Sequence, residues 1–175
     1  HILQRVDCDL LALDADPQRC ERIRANLRRE RLQAQVRVGD ARRPADWWDG
    51  IAFDRVLLDA PCSASGIVRR HPDVRWLRRR GDLETLSALQ SELLRALWPL
   101  LRPGGTLLYV TCSVFPEEGE DVVARFSTEF ADCRRMPLDW RFDGGEPERV
   151  AQLLPTSSDG REHDGFFYAC LSKRS

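Results

Sequence analysis

Residues 54–66 read DRVLLDAPCSASG, and the fold follows from how that stretch is parsed. Asp54 to Leu58 is an apolar run of strand length that stops at the carboxylate of Asp59. The turn after it holds Pro61, which fixes its own φ, and then Cys62, three residues beyond Asp59. The same pattern recurs on either side. Leu10 to Leu13 reads as a buried strand ending at Asp14, and Val36 to Val38 as a short strand ending at Gly39-Asp40. Thr106 to Val110 is a further strand that runs into Thr111-Cys112-Ser113, and Phe166 to Leu171 is the last. Helices fill the intervals. Pro17 to Arg31 has Asp16 placed to cap it and Pro17 at its first position. Leu83 to Leu101 carries Leu86, Leu89, Leu93, Leu94, Leu97, Leu100 and Leu101 at helical spacing and is expected to stop at Pro103-Gly104-Gly105. Pro116 to Phe130 reads as a third helix.

Alternating strands and helices imply an α/β fold, with a parallel sheet covered on both faces. In such sheets ligands bind beyond the carboxyl ends of the strands. Asp14, Asp40, Asp59 and Cys112 are therefore expected along one sheet edge. A single aspartate after a strand is an ordinary turn residue. Three of them beside a cysteine make a candidate site. The segment Asp143 to Arg161 is rich in Gly, Pro, Ser and charge and reads as a long surface loop. No repeat is found, and residues 1–175 are expected to form a single domain.

Composition bounds the function. The 175 residues, 42% hydrophobic and 31% charged, suit one globular domain with a real core. No run of 18 apolar residues exists to span a membrane, and His1-Ile2-Leu3-Gln4-Arg5 lacks the features of a secretory signal. The chain does not open with Met, so it is expected to begin within a longer protein. The net charge of −1 gives no global sign of nucleic-acid binding. None of the six cysteines sits in a CxxC pair, and no His lies at zinc-finger spacing, so no metal site is expected. They are read as reduced thiols of a cytoplasmic protein, most of them small buried residues. A monomer is expected.

An acid after the second strand of a dinucleotide-binding unit typically bonds ribose hydroxyls, a role open to Asp14, and Asp40 could meet the exocyclic amine of an adenine. Cys62 and Cys112 lie 50 residues apart in sequence, yet the proposed sheet brings both to one edge. Two thiols and a carboxylate over a nucleoside site suggest covalent catalysis. Arg69, Arg70, His71, Arg75, Arg78, Arg79 and Arg80 fall within twelve residues, with Trp76 among them. Alone, such a stretch is a solvated charged face. Next to DAPCSASG it becomes a candidate RNA surface, because arginines neutralise phosphates and aromatic rings stack on unpaired bases. Trp47-Trp48 could be a surface contact or a packed turn.

Together, DAPCSASG (59–66), RRHPD (69–73), WLRR (76–79), TCSV (111–114), PEE (116–118) and DGFFYA (164–169) resemble the RsmB (Sun, Fmu) branch of the RNA 5-methylcytosine methyltransferases. The resemblance spans nearly the whole chain, and RRHPD and DGFFYA point to the bacterial 16S rRNA enzymes. It implies a Rossmann-like class I methyltransferase sheet and S-adenosylmethionine as cofactor, with Asp14, Asp40 and Asp59 around it. It also implies a mechanism. Cys112, as thiolate, attacks carbon 6 of the target cytosine, and carbon 5 then takes the methyl group. Asp59 stabilises the activated ring near nitrogen 3, and Cys62 assists loss of the carbon 5 proton and release of the enzyme. DNA cytosine methyltransferases instead use a Pro-Cys nucleophile, which Pro61-Cys62 resembles. The intact Thr111-Cys112-Ser113 assigns attack to Cys112. A free thiol has a pKa of roughly 8.5, so Cys112 needs activation at neutral pH.

The sequence also departs from that pattern. The glycine-rich cofactor loop and the first strand are not in it, nor is an amino-terminal RNA-binding domain, and His1-Ile2-Leu3 resembles the helix after the loop. Two inner strands should then lose a ladder partner, and the chain alone is expected to bind S-adenosylmethionine poorly. Gly119 stands where the family usually has Asn. Two other readings remain open: a non-catalytic RNA-binding remnant, and a DNA cytosine-5 methyltransferase.

Overall fold

Parallel pairing begins where two short apolar runs meet. In the computed structural model, which describes residues 1–77, 79–138, 151–155 and 163–174, β1 (Leu11–Asp14) lies parallel to β2 (Gln35–Val38). A one-turn helix, α1 (Ile2–Arg5), precedes them, and α2 (Pro17–Glu30) connects them. The Asp16 carboxylate caps α2 by accepting from the Gln18 N–H at 2.8 Å, as expected of an Asp before Pro. Cys20 is fully buried on α2, where its thiol donates towards the carbonyls of Asp14 and Arg37. It is the small packed residue expected of most of the cysteines. Trp47 is the packed turn: it is buried, and its indole N–H donates to the Asp40 carbonyl at 3.0 Å.

These elements form one compact unit, His1–Ile51, and Ala52–Ser175 form a second. In the second unit, β3 (Phe53–Asp59) pairs parallel with β4 (Leu101–Thr111). Between β3 and β4 the chain passes through a one-turn helix, α3 (Val74–Leu77), and the long α4 (Arg80–Leu97). After β4 come α5 (Glu120–Glu129), β5 (Cys133–Met136), the two-residue β6 (Gln152–Leu153) and β7 (Phe166–Lys173). The strand order is β3-β4-β7-β5, with β6 beside β7.

β7 runs antiparallel to β4, β5 and β6, so the sheet is mixed rather than wholly parallel. β4 and β5, joined through α5, run in the same direction, and β7 lies between them as their antiparallel neighbour. Among the described residues β1 pairs only with β2 and β3 only with β4, which is the loss of ladder partners expected without a first strand.

Three boundaries differ from the sequence expectation. α4 ends at Leu97 because Pro99 has no N–H to continue the helix; a 3-10 turn, Trp98–Leu100, follows. β4 already starts at Leu101, and Pro103-Gly104-Gly105 form an irregularity inside it, with Gly104 at φ +75°. The helix expected from Pro116 is broken at Gly119 into a 3-10 turn, Pro116–Glu118, and α5. A Cβ at Gly119 would lie 2.9 Å from the Phe167 ring, so the close packing of β7 favours glycine there. The core sits under β4 and β7, where Leu107, Tyr109, Phe167 and Leu171 are buried with Leu94, Trp98, Val122 and Phe126 of the helices. Trp98 meets Phe126 edge to face, with ring centroids 5.3 Å apart. The loop expected over 143–161 lies largely outside the described residues; its Gln152–Leu153 forms β6. No described helix is long and apolar enough to cross a membrane.

Candidate active site

β3 and β4 are parallel neighbours, so their carboxyl ends, and the turns beyond them, emerge together. Asp59 pairs in register with Val110, and the Ala60 N–H donates to the Val110 carbonyl at 2.9 Å. The two turns then run side by side. Cys62 Sγ and Cys112 Sγ end 3.3 Å apart, both partly buried. The proximity expected from the sequence is therefore met.

The sulfur pair is asymmetric. The hydrogen bond from Cys62 is the largest influence on Cys112 and holds its pKa below the usual thiol value, against burial and the negative charges of Asp59 and Glu118. The same bond, reinforced by burial, pushes Cys62 well above that value. The two sulfurs thus share one S–H···S contact, which favours ionisation at Cys112 and opposes it at Cys62.

Small residues make the approach possible. Gly66 donates its N–H to the Cys112 carbonyl at 2.9 Å and accepts from the Gly165 N–H at 2.8 Å. A Cβ on Gly66 would lie 2.1 Å from the Gly165 carbonyl oxygen, so three chain segments can meet here only with glycine at that position. The glycines that end DAPCSASG and follow Asp164 in DGFFYA have a steric reason. Ala64 takes the left-handed conformation (φ 60°), a local strain at the tip of the Cys62 turn. Hydroxyls stitch the turns together. Ser65 Oγ lies 3.1 Å from Ser113 Oγ and accepts from the Val114 N–H at 3.0 Å. Ser63, Ser113 and the carboxylate of Glu118 are buried beside them. Sequence reading gave none of these residues a role. The available signal was Gln90, a polar residue among the apolar positions of a helix; Glu118, beside Glu117 in a turn, carried none.

Asp59 is exposed, and its carboxylate makes no hydrogen bond among the described residues. Within the first unit, Asp14 and Asp40 are neighbours, because the Gly39 N–H donates to the Asp14 carbonyl at 3.0 Å. Asp14 Oδ1 accepts from the Asp16 N–H at 2.8 Å. Asp40 is gripped by Arg42 through its backbone N–H and guanidinium, which holds the Asp40 carboxyl below the usual range.

Arg69, Arg70 and His71 are exposed just after the Cys62 turn, and Trp76 is 88% exposed. Arg70 is ion-paired: its Nε lies 2.8 Å from Asp164 Oδ2, a carboxylate only 5% exposed. Arg75 falls in α3, with its side chain outside the described residues, and residue 78 lies outside them altogether.

Comparisons with known proteins give the family. The family described as 16S rRNA methyltransferase RsmB/F matches residues 1–172. Ribosomal RNA small subunit methyltransferase B of Vibrio vulnificus (strain YJ016) is 49% identical over 177 residues, covering 100% of this chain and 39% of that protein. The protein of the same name from Vibrio cholerae serotype O1 is 48% identical, covering 99% of this chain and 38% of its own length. The chain thus spans about two fifths of the curated relatives it matches. Among solved structures, NSun6 from Pyrococcus horikoshii with SFG superposes with a TM-score of 0.76 at 27% identity, covering 95% of this chain and 42% of that one. A methyltransferase homologue from the same organism gives 0.73 at 30% identity, covering 95% and 54%. The mixed sheet with its aligned strand ends is accordingly a Rossmann-like methyltransferase sheet lacking the first strand, and the chain belongs to the 16S rRNA methyltransferase RsmB/F family.

Proposed function

We propose that the chain is the catalytic part of an S-adenosylmethionine-dependent enzyme that methylates carbon 5 of a cytosine in 16S rRNA, with Cys112 as covalent nucleophile. The observation that carries this reading is the 3.3 Å separation of Cys62 and Cys112. A lone buried thiol would need no such partner. Cys112 Sγ bonds to carbon 6 of the base, and the ring electron pair moves to carbon 5. Carbon 5 then takes the methyl group, loses its proton, and the carbon–sulfur bond breaks to return the thiolate. Cys62, its sulfur 3.3 Å from that of Cys112, is assigned in this reading to assist those last two steps. Asp59, exposed at the end of β3, is assigned in this reading to the nitrogen 3 side of the ring.

The cofactor supplies the methyl group when bound. Carboxylates are the acceptors that ribose hydroxyls and an adenine amine require, so Asp14, Asp40 and Asp59 suit it chemically. At Asp40 an adenine amine would have to share the carboxylate with Arg42. Arg69, Arg70, His71 and Arg75, with Trp76, form the proposed RNA surface, and the target base leaves its stack to reach Cys112. The names of the curated relatives support ribosomal RNA as the substrate. Labelled methyl transfer by the intact protein to rRNA and to DNA in parallel tests the reading. We expect 5-methylcytosine in the rRNA digest; label in DNA alone, or on another base, would overturn it.

A further inference from the structure

Buried carboxylates are rare unless something requires them, because an ionised group loses its hydration on burial. Glu118 has no exposed surface at all. It reaches that position because Pro116 starts a single 3-10 turn that Gly119 ends, which swings Glu118 inward rather than along a helix face. Its described partners are neutral donors. Oε1 accepts from the Ser63 N–H at 2.8 Å and from Gln90 Nε2 at 3.3 Å. Oε2 accepts from the Ser113 hydroxyl at 2.6 Å, the short distance of a charge-assisted bond. Gln90 Nε2 in turn also donates to the Pro61 carbonyl at 2.9 Å. The backbone carbonyl of Glu118 takes the Tyr109 hydroxyl at 2.7 Å.

Ser63 follows Cys62 and Ser113 follows Cys112. One carboxylate is therefore bonded to the residue beside each sulfur, through Oε1 to Ser63 and through Oε2 to Ser113. We propose that Glu118 is a positioning residue: its buried carboxylate clamps the Cys62 turn to the Cys112 turn and so sets the sulfur separation on which the S–H···S contact depends. It touches neither sulfur, and no substrate atom is assigned to it. Its charge alone acts the other way, since a nearby anion opposes ionisation of both thiols. The benefit must come from geometry.

That opposition separates position from charge experimentally. Glu118→Asp keeps the charge but is shorter by one methylene, so it cannot reach Ser63 and Ser113 together. Ser113→Ala keeps the carboxylate and removes its tie to the Cys112 turn, together with the Ser113 hydroxyl's contacts to Ser63, Ser65 and the Phe115 N–H. Both leave Cys62 and Cys112 in place. The measurement is site-resolved iodoacetamide alkylation of the intact protein against pH, read by peptide mass spectrometry, with thermal unfolding alongside. We expect Cys112 alkylation near neutral pH to slow about tenfold in both variants, one pKa unit of thiolate fraction, with its midpoint moved up. If Glu118→Asp does not fold, Ser113→Ala decides alone. A Cys112 midpoint unchanged in Ser113→Ala overturns the proposal, whatever happens to stability, because a merely structural bond would lower the unfolding temperature without moving that midpoint. The inference concerns how the thiol pair of the proposed mechanism is held. Because alkylation needs neither RNA nor cofactor, failure of the cytosine-methylation reading would show in methyl transfer and leave this result standing.

Discussion

Replacing Gly66 by Ala should be the most damaging one-methyl change near the site. The added Cβ would sit 2.1 Å from the Gly165 carbonyl oxygen, 2.6 Å from its carbon and 2.9 Å from its Cα. These are backbone atoms, so no rotamer change relieves the overlap, and the Gly165 segment must move. Overpacking of this kind costs about 1–3 kcal/mol. Moving the segments also stretches two backbone hydrogen bonds, Gly66 to Cys112 and Gly165 to Gly66, at about 1 kcal/mol each. The expected loss is about 3–5 kcal/mol, read as a lower urea midpoint at unchanged slope. Gly81→Ala is the control. A Cβ there meets nothing within 4 Å, and the position lies in the first turn of α4, so stability should hold or rise by about 0.5 kcal/mol. A Gly66→Ala loss below about 1 kcal/mol would refute the close three-segment junction on which the sulfur geometry rests.

Cys62→Ala removes the hydrogen bond that lowers the Cys112 pKa, so the Cys112 alkylation midpoint should rise towards that of a free thiol; a fall would mean that Cys62 acts chiefly by charge. Arg70→Gln leaves the buried Asp164 carboxylate without its cation and should cost about 1–3 kcal/mol in urea unfolding. Arg70→Glu should also weaken RNA binding and flatten its salt dependence, and unchanged affinity across a salt series would count against an RNA role. Trp76, being 88% exposed, can be changed to Ala with little effect on stability, while affinity for single-stranded RNA should fall about tenfold; equal affinity removes it from the proposed surface.

The parallel pairs β1–β2 and β3–β4 were legible because each strand is an apolar run punctuated by an acid or a Thr-Cys turn. The Asp16 cap and the meeting of Cys62 with Cys112 were legible for the same reason: local chemistry fixed them. β5 and β6 were not, since Cys-Arg-Arg-Met and Gln-Leu carry no strand period, and their pairing is imposed by β7. The antiparallel course of β7 is a property of connection rather than of residue pattern. Glu118 was read only as part of a motif, because its value depends on burial, which a sequence does not display for an acid on a turn. Arg70 was read as a phosphate contact, and its ion pair with Asp164 required knowing that Gly66 and Gly165 touch.

The assignment of attack to Cys112 rather than Cys62 is tested most directly with RNA carrying 5-fluorocytosine, which traps the carbon 6 adduct. The intact protein should form a denaturant-stable band that vanishes in Cys112→Ala and persists in Cys62→Ala. A band that survives loss of Cys112 and disappears with Cys62 would contradict the account.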